Sequence, residues 1–384
     1  MTMVAALILG STITGFVELP QVYYYGSVFI MGALLFPYNF DGIIGLKSLW
    51  AFVLFCAISI FLNQPPAYFK AWSRFAGFII IIVTLAPLFI SSKANSYRIT
   101  FLNSTLWLCV ILSSASFFCY FLNINFYSVH PDMIDIGYGH FSGLLRHSML
   151  LGPIAGISAI YAFASFLGKE HNPISMLFIT GCCLGSCLLS ASRGALTACV
   201  ISLLSMTFIF FRNKKSRGFI YIIIIVAFIG ATYPLWNSLT EFVLAKQEQN
   251  VQSGGTFSSR ESLWMARIAE IKSHPLTGVG FCCVDPRLTP VNTQTGVIEP
   301  GSSWLAIFSM TGILGFLSFI IVFYKTFHHA YSLSSQTESA MFCGCLIFFA
   351  IHFITEGYIL ASGSILGLVF WLLVGCVWGK KGEQ

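Results

Sequence analysis

Long uninterrupted runs of apolar residues, separated by short polar turns, are the feature that most constrains this sequence. Most runs approach the length of about 20 residues that an α-helix needs to cross a bilayer. Their apolar character is continuous rather than alternating, which selects helices over the strands of a barrel. Only 9% of the residues are charged, whereas a soluble domain carries about 25%. The sequence therefore predicts an all-α polytopic membrane protein.

About twelve transmembrane helices are predicted by this measure, and the first three are short. They lie at residues 3–17, 21–37, 48–62, 73–91, 100–122, 146–167, 174–190, 193–211, 217–235, 302–326, 337–355 and 358–378. The predicted organisation is nine spans in residues 1–235, one large loop with short helices at 236–301, and three spans with a short tail in 302–384.

Basic residues in the turns orient these spans. The densest group follows span eight and a lysine pair follows span twelve: Arg212, Lys214, Lys215, Arg217, Lys380 and Lys381. Both groups fall on one side of a twelve-span chain, and the positive-inside rule assigns that side to the cytoplasm. Both termini are then cytoplasmic and the large loop is extracytoplasmic. The net charge of +6 reflects this orientation rather than binding to nucleic acid. Lys70 and Arg74 fall on the outer side, against the rule.

The large loop contains a polar, helix-forming stretch at residues 256–281, TFSSRESLWMARIAEIKSHPLTGVGF. Ser258 and Glu261 have the spacing of a capping box, which predicts the start of a helix there. One face of this helix carries residues at three- and four-residue steps, namely Arg260, Trp264, Arg267 and Ile271. A proline and two glycines are expected to end it, namely Pro275, Gly278 and Gly280.

Three arginines are expected at the outer face. Arg193 begins span eight, Arg146 begins span six, and Arg260 lies in the large loop. A charged residue within a span is costly and indicates a functional site. Arginine binds phosphate oxygens through charge-assisted, often bidentate hydrogen bonds. Their convergence would suit a polyanionic lipid headgroup such as a diphosphate. Two other interpretations remain open: Arg193 could snorkel to the interface, or each arginine could pair with a local acid.

Three segments of the sequence resemble signatures of the O-antigen ligase and polymerase superfamily. They are SASRGALTACVISLL, SRESLWMARIAEIKSHPLTGVGF and VIEPGSSWLAIFSMTGILGFL. The second is the most specific, with an arginine, a tryptophan, a short helix and then H-P-L-x-G-x-G. The resemblance covers roughly residues 140–375, while the first five spans match only in hydropathy.

The resemblance implies a membrane glycosyltransferase that takes a glycan from undecaprenyl diphosphate at the periplasmic face of the bacterial inner membrane. Arg193 and Arg260 would bind the diphosphate and stabilise it as the leaving group, with Arg146 and Arg267 as further ligands. No cofactor and no metal are expected, since the outer acids lack the spacing of metal ligands. Implied partners are the lipid-linked oligosaccharide, membrane lipids, and a chain-length regulator and flippase of the same pathway.

One departure from the family pattern favours a polymerase, which joins one lipid-linked repeat unit to another. Ligases carry a histidine before the helix that follows the large loop, but residues 299–304 here read EPGSSW. Glu299 is the best placed candidate base, since a carboxylate partly desolvated at the membrane surface can have a raised pKa. It could equally be an ordinary solvated acid. His147 is a weaker candidate base, and His274 is interpreted as a structural cap.

Other readings of the sequence stay open. Glu356, near the start of the last span, is expected to orient an arginine, and His352 could do the same. A ligase would run the same chemistry with lipid A–core as its acceptor. A transporter of the lipid-linked glycan would be expected to show broken spans in matched halves, which this sequence lacks. A membrane protease would need a Ser/His or H-E-x-x-H arrangement, and none is evident.

Overall fold

The computed structural model describes residues 1–40, 43–126, 141–213, 260–289 and 291–379. These residues form the helices α1 (Thr2–Thr12), α2 (Gln21–Phe40), α3 (Lys47–Asn63), α4 (Ala71–Leu85), α5 (Ser92–Phe121), α6 (Ser148–Gly168), α7 (Pro173–Leu189), α8 (Arg193–Phe210), α9 (Glu261–Ser273), α10 (Ser303–Tyr331), α11 (Gln336–Thr355) and α12 (Ile365–Gly379). A 3-10 helix lies at Ala67–Phe69. The short strands β1 (Ile43–Ile44) and β2 (Phe89–Ile90) pair antiparallel.

The predicted all-α multi-pass membrane architecture is confirmed. Six helices of the described residues are long and apolar enough to cross a membrane, and four shorter helices are also apolar. Helices α1–α8 and α10–α12 coincide with eleven of the predicted spans. The remaining predicted span, 217–235, lies outside the described residues. The same holds for five of the basic residues that orient the chain: Lys214, Lys215, Arg217, Lys380 and Lys381.

Five predicted boundaries are wrong by five residues or more. Helix α1 ends at Thr12 rather than at residue 17, α5 begins at Ser92 rather than at residue 100, and α10 ends at Tyr331 rather than at residue 326. The other two boundaries are wrong for local reasons. The last span was expected from residue 358, but α12 begins at Ile365 because residues 358–364 form two successive turns. The fourth span was expected to reach residue 91, but α4 ends at Leu85. Pro87 follows closely and has no N–H group to continue the helix, and the chain then forms β2.

Helix α6 lies between α5, α7, α8 and α11 and packs against all of them. It is rich in small buried residues, which are Gly152, Ala155, Gly156, Ser158, Ala159 and Ala162. Such residues let neighbouring helices approach closely in a membrane, where dispersion contacts replace the hydrophobic effect as the driving force. Gly156, for example, packs directly against the ring of Phe348 in α11.

Contacts between helix ends show how the helices alternate in direction. At one end of the bundle, Gly194 of α8 packs against Thr355 of α11, and Ser303 of α10 donates to the carbonyl that follows α11. At the other end, Gly168 of α6 packs against Thr337 of α11. Helices α6, α8 and α10 therefore begin at the first end, and α11 ends there. Because α9 packs against the start of α10, we call this end the α9 end.

Helix α10 is broken near its start by Gly312, which has φ 71° and ψ −176°. The turn at residues 275–280 docks into this break through three backbone hydrogen bonds. Val279 N–H donates to Ser309 O (2.8 Å), Gly280 N–H to Met310 O (3.2 Å), and Ile313 N–H to Pro275 O (2.9 Å). These bonds satisfy groups that the broken helix leaves unpaired, as irregular backbone at membrane depth requires. The H-P-L-x-G-x-G signature is thus the part of the loop that bonds to α10 at its break.

Gly312→Ala is expected to destabilise the protein strongly. The backbone conformation of Gly312 is one that essentially only glycine adopts, and forcing another residue into it costs about 1–3 kcal/mol. A Cβ at this position would also lie 2.0 Å from the carbonyl oxygen of Leu276. The purified variant should therefore show a clearly lower melting temperature than the wild type.

Gly181→Ala in α7 is the matched control, because a Cβ there meets nothing within 4 Å. If both alanine variants have the same melting temperature, the docking of residues 275–280 into α10 contributes little to stability.

Candidate active site

Arg260 lies at the start of α9, where it is the N-cap residue rather than part of the helix interior. The predicted capping box is not described in full, because Ser258 lies outside the described residues. The helix begins at Glu261 without a capping hydrogen bond from the Arg260 side chain. The indole N–H of Trp264 donates to Gly301 O at 3.1 Å and so holds α9 against the segment that precedes α10.

The Arg260 side chain contacts two carboxylates at once. Its Nη1 pairs with Glu299 Oε1, and its Nη2 donates to Glu356 Oε1 at 2.7 Å. We call these three residues the arginine–glutamate cluster. The Arg260 side chain is 10% exposed, that of Glu356 24% and that of Glu299 64%. Glu356 is therefore the enclosed partner of Arg260, and Glu299 is the partner that solvent reaches.

The starts and ends of α10 and α11 hold the two carboxylates in place. Ser303 donates to Glu356 O from its backbone N–H (2.9 Å) and from its Oγ (2.7 Å). Ser302 Oγ donates to Phe353 O at 2.9 Å. Pro300, directly after Glu299, packs against Gly357. Both glutamates are thus fixed from the same junction although they are far apart in sequence.

Arg193 lies near the same junction. It is the first residue of α8, and its neighbour Gly194 packs against Thr355, directly before Glu356. Within the part of the chain that the structure describes, the half-buried Arg193 side chain makes no hydrogen bond or ion pair. Arg193 and the arginine–glutamate cluster therefore both lie near the end of α11, and no described residue takes up the hydrogen-bond donors of Arg193.

Arg146 and His147 hold the start of α6. Arg146 Nε donates to Thr14 O at 2.8 Å, and its backbone N–H donates to Ile13 O at 2.9 Å. His147 is the N-cap of α6 and accepts the Met149 N–H on Nδ1 at 3.0 Å. These bonds tie the start of α6 to the chain after α1.

The interpretation of Arg267 as a diphosphate ligand does not fit its surroundings. Its side chain is completely buried, as is that of Glu270, with Nη1 and Oε2 2.8 Å apart. Arg267 Nη2 also donates to Thr289 Oγ1 at 2.8 Å, and Glu270 Oε1 accepts the Asp285 N–H at 2.7 Å. Burial raises the pKa of Glu270, and the adjacent guanidinium opposes that rise. The pair braces α9 against residues 281–289.

His274 occupies the position of a structural cap. It is the C-cap residue of α9, and its Nδ1 lies 2.9 Å from Ser273 Oγ. His352 is buried beneath the junction, with Nδ1 2.8 Å from Tyr358 Oη. Within the described residues, no three His, Cys, Asp or Glu side chains come close enough together to hold a metal ion.

The sequence analysis missed the serines that position the two glutamates. Ser302 and Ser303 follow a glycine directly before a span, and that pattern is also typical of an ordinary helix start. Their hydrogen bonds to the end of α11 are tertiary contacts, which leave no trace in local sequence. In the sequence, the one signal that marks Arg74 is its conflict with the positive-inside rule.

The O-antigen ligase family model matches residues 178–320. No curated protein matches the chain significantly. The matched segment runs from α7 into α10 and contains Arg193, Arg260 and Glu299. The match supports a glycosyltransferase-like enzyme of the O-antigen ligase type and gives no support to a transporter. The match over residues 178–320 therefore supports the predicted resemblance of this multi-pass membrane protein to the O-antigen ligase and polymerase superfamily.

Proposed function

We propose that the protein is a polysaccharide polymerase of O-antigen or capsule repeat units. It transfers a growing glycan from undecaprenyl diphosphate to a second lipid-linked repeat unit, with inversion at the anomeric carbon and without a metal. The observation that carries this proposal is that two arginines, Arg193 and Arg260, lie near the end of α11. One is held by two carboxylates, and the other has no partner among the described residues.

The two arginines suit the role of a diphosphate clamp. Negative charge grows on the diphosphate as the anomeric C–O bond breaks, and the electron pair of that bond passes to the diphosphate oxygen. Fixed guanidinium donors directed at this oxygen stabilise the transition state more than the ground state. Arg193 begins a helix, so the helix dipole adds to the positive potential at that point.

Glu299 suits the role of the general base. Arriving diphosphate competes with the carboxylates for Arg260, and the more exposed Glu299 is the partner that gives way. Glu356 stays in place and keeps Arg260 oriented. The released Glu299 carboxylate then accepts the proton of the acceptor hydroxyl, as the acceptor oxygen bonds to the anomeric carbon. Binding of the donor would thus prepare the base.

A ligase is the second candidate, because the family description names that activity. The same clamp would serve a ligase, and only the acceptor would differ. The absence of histidine from residues 298–304 favours the polymerase. The proposed location is the bacterial inner membrane, with the α9 end at the periplasmic face and both termini in the cytoplasm. The chain-length regulator and the flippase of the pathway are proposed as partners.

Deleting the gene is expected to remove long polysaccharide chains while a single repeat unit remains attached to lipid A–core. This result follows if the enzyme joins repeat units and another enzyme attaches them to the core. Surface polysaccharide would be examined on gels and the lipid-linked pool by mass spectrometry. If attached sugar is lost completely and lipid-linked polymer accumulates, the ligase is correct and the polymerase is wrong.

The deletion strain also tests Glu299. A plasmid encoding Glu299→Gln should fail to restore long chains, whereas Glu170→Gln, an exposed acid at the opposite end of the bundle, should restore them. If Glu299→Gln restores long chains fully, Glu299 is not the base, and the assignment of the reaction is unaffected.

A further inference from the structure

A cavity of about 360 Å³ lies at the α9 end of the bundle. It is bounded by α2, by α4 and by the segments 297–300 and 357–363. Its walls are mainly apolar and include Ile298, Pro300, Met310 and Leu360. This volume is within the range of sites that bind small molecules.

Arg74 is the cation of this cavity. It donates to Gly296 O at 2.7 Å and to Cys282 O at 3.3 Å. Both acceptors are neutral carbonyls, and no carboxylate of the described residues pairs with Arg74. A guanidinium beside apolar walls without a counter-charge favours an anionic ligand. Such a ligand would account for an arginine on the side of the membrane where the positive-inside rule disfavours it.

Only single backbone segments separate this cavity from the arginine–glutamate cluster. Ile298 and Pro300 line the cavity, while Glu299 between them reaches Arg260 on the other side. Gly357 likewise lines the cavity, and Glu356 before it reaches Arg260. A molecule in the cavity would therefore lie next to the segment that carries Glu299.

We propose that this cavity binds the phosphate-bearing head of the acceptor lipid. Arg74 holds the lipid phosphate, and the apolar walls cover the first part of the lipid chain. The acceptor would then reach Glu299 from one side while the donor diphosphate lies on Arg193 and Arg260. The inference rests on the proposed function, because it needs a second lipid-linked substrate.

The test uses the full-length protein in nanodiscs and an acceptor that cannot act as a donor. This acceptor is the repeat unit on a phosphonate analogue of the lipid diphosphate, which cannot release its sugar. The donor is a repeat unit whose accepting hydroxyl has been removed. Two substitutions place a larger side chain in the lining of the cavity and so narrow it. They are Ala361→Trp, at an exposed position, and Gly363→Phe, beside Tyr25. Thr293→Trp, exposed on the large loop and outside the cavity, is the matched control.

We expect each cavity variant to raise the acceptor KM at least about tenfold, because the added ring occupies space that the acceptor head needs, while the donor KM stays within about twofold. Thr293→Trp should change neither value. An unchanged acceptor KM in both cavity variants, or a rise in the donor KM alone, would overturn the proposal.

A second measurement does not depend on transfer. A lipid diphosphate carrying a diazirine beside its phosphates should crosslink to residues 357–363 of the wild type and much less to Ala361→Trp. If crosslinking follows this pattern but no repeat units are joined, the cavity proposal stands and the polymerase function fails. If units are joined and crosslinking never reaches residues 357–363, the cavity proposal fails alone.

Discussion

Arg193→Ala is expected to reduce glycan transfer at least about a hundredfold, the loss typical of removing one donor from a preorganised anion site. Arg260→Ala should have an effect of the same size. Arg193 is the better position for this test, because its side chain has no hydrogen-bond or ion-pair partner among the described residues. Lysine at either position should rescue poorly, since an ammonium cannot reproduce a bidentate guanidinium contact.

The measurement is transfer by purified protein in proteoliposomes, with the lipid-linked repeat unit isolated from the host strain. Arg287→Ala is the matched control: this arginine lies on the same loop, its side chain is 83% exposed and it pairs with Asp285. If Arg193→Ala and Arg260→Ala both keep the activity of Arg287→Ala, the diphosphate clamp is wrong.

Arg267→Met is expected to destabilise the protein by about 3–5 kcal/mol, because it leaves the buried Glu270 without its counter-charge. The double variant Arg267→Met/Glu270→Gln should recover most of this loss. The glutamine oxygen can still accept the Asp285 N–H that Glu270 accepts in the wild type, and no unpaired charge remains. Melting temperatures of the purified variants measure both effects.

The loss in Arg267→Met should also depend on pH. Burial raises the pKa of Glu270 above that of an unfolded glutamate, and removing Arg267 takes away the charge that opposes this rise. The stability contributed by such a group is complete below its unfolded pKa and is lost as the pH rises through its folded pKa. Arg267→Met should therefore approach the wild type in melting temperature as the pH falls toward about 4.3. A gap that stays constant with pH would show that lost packing, rather than an unpaired charge, causes the effect.

Much of the fold was predictable because membrane helices are determined by local composition. The lengths of the apolar runs predicted the helices and placed Arg193 at the start of one. The break in α10 was not predictable, because it depends on a tertiary contact: the carbonyl of Leu276, from the turn before α10, packs directly against Gly312. Helix ends beside Tyr358 and Pro87 were misplaced for a related reason: both stretches are apolar but turn instead of continuing.

The candidate site was predictable only in part. Helical spacing placed Arg260 and Arg267 on one face, but it could not tell which of them is buried in a structural pair. That distinction depends on Thr289 and Asp285, which reach Arg267 and Glu270 from the following loop. Glu299 and Glu356 both pair with Arg260 because α10 packs against α11. The local sequence pattern does not predict this packing.

The break at Gly312 separates the first turns of α10 from the rest of that helix. Residues 303–311 are bonded to the turn 275–280 and, through Ser303, to Glu356. The same turn also bonds to Ile313 after the break, through Pro275 O, so it fixes the angle between the two parts of α10. When a bilayer of different thickness makes long helices tilt, the turn 275–280 would therefore move with α10 as one body.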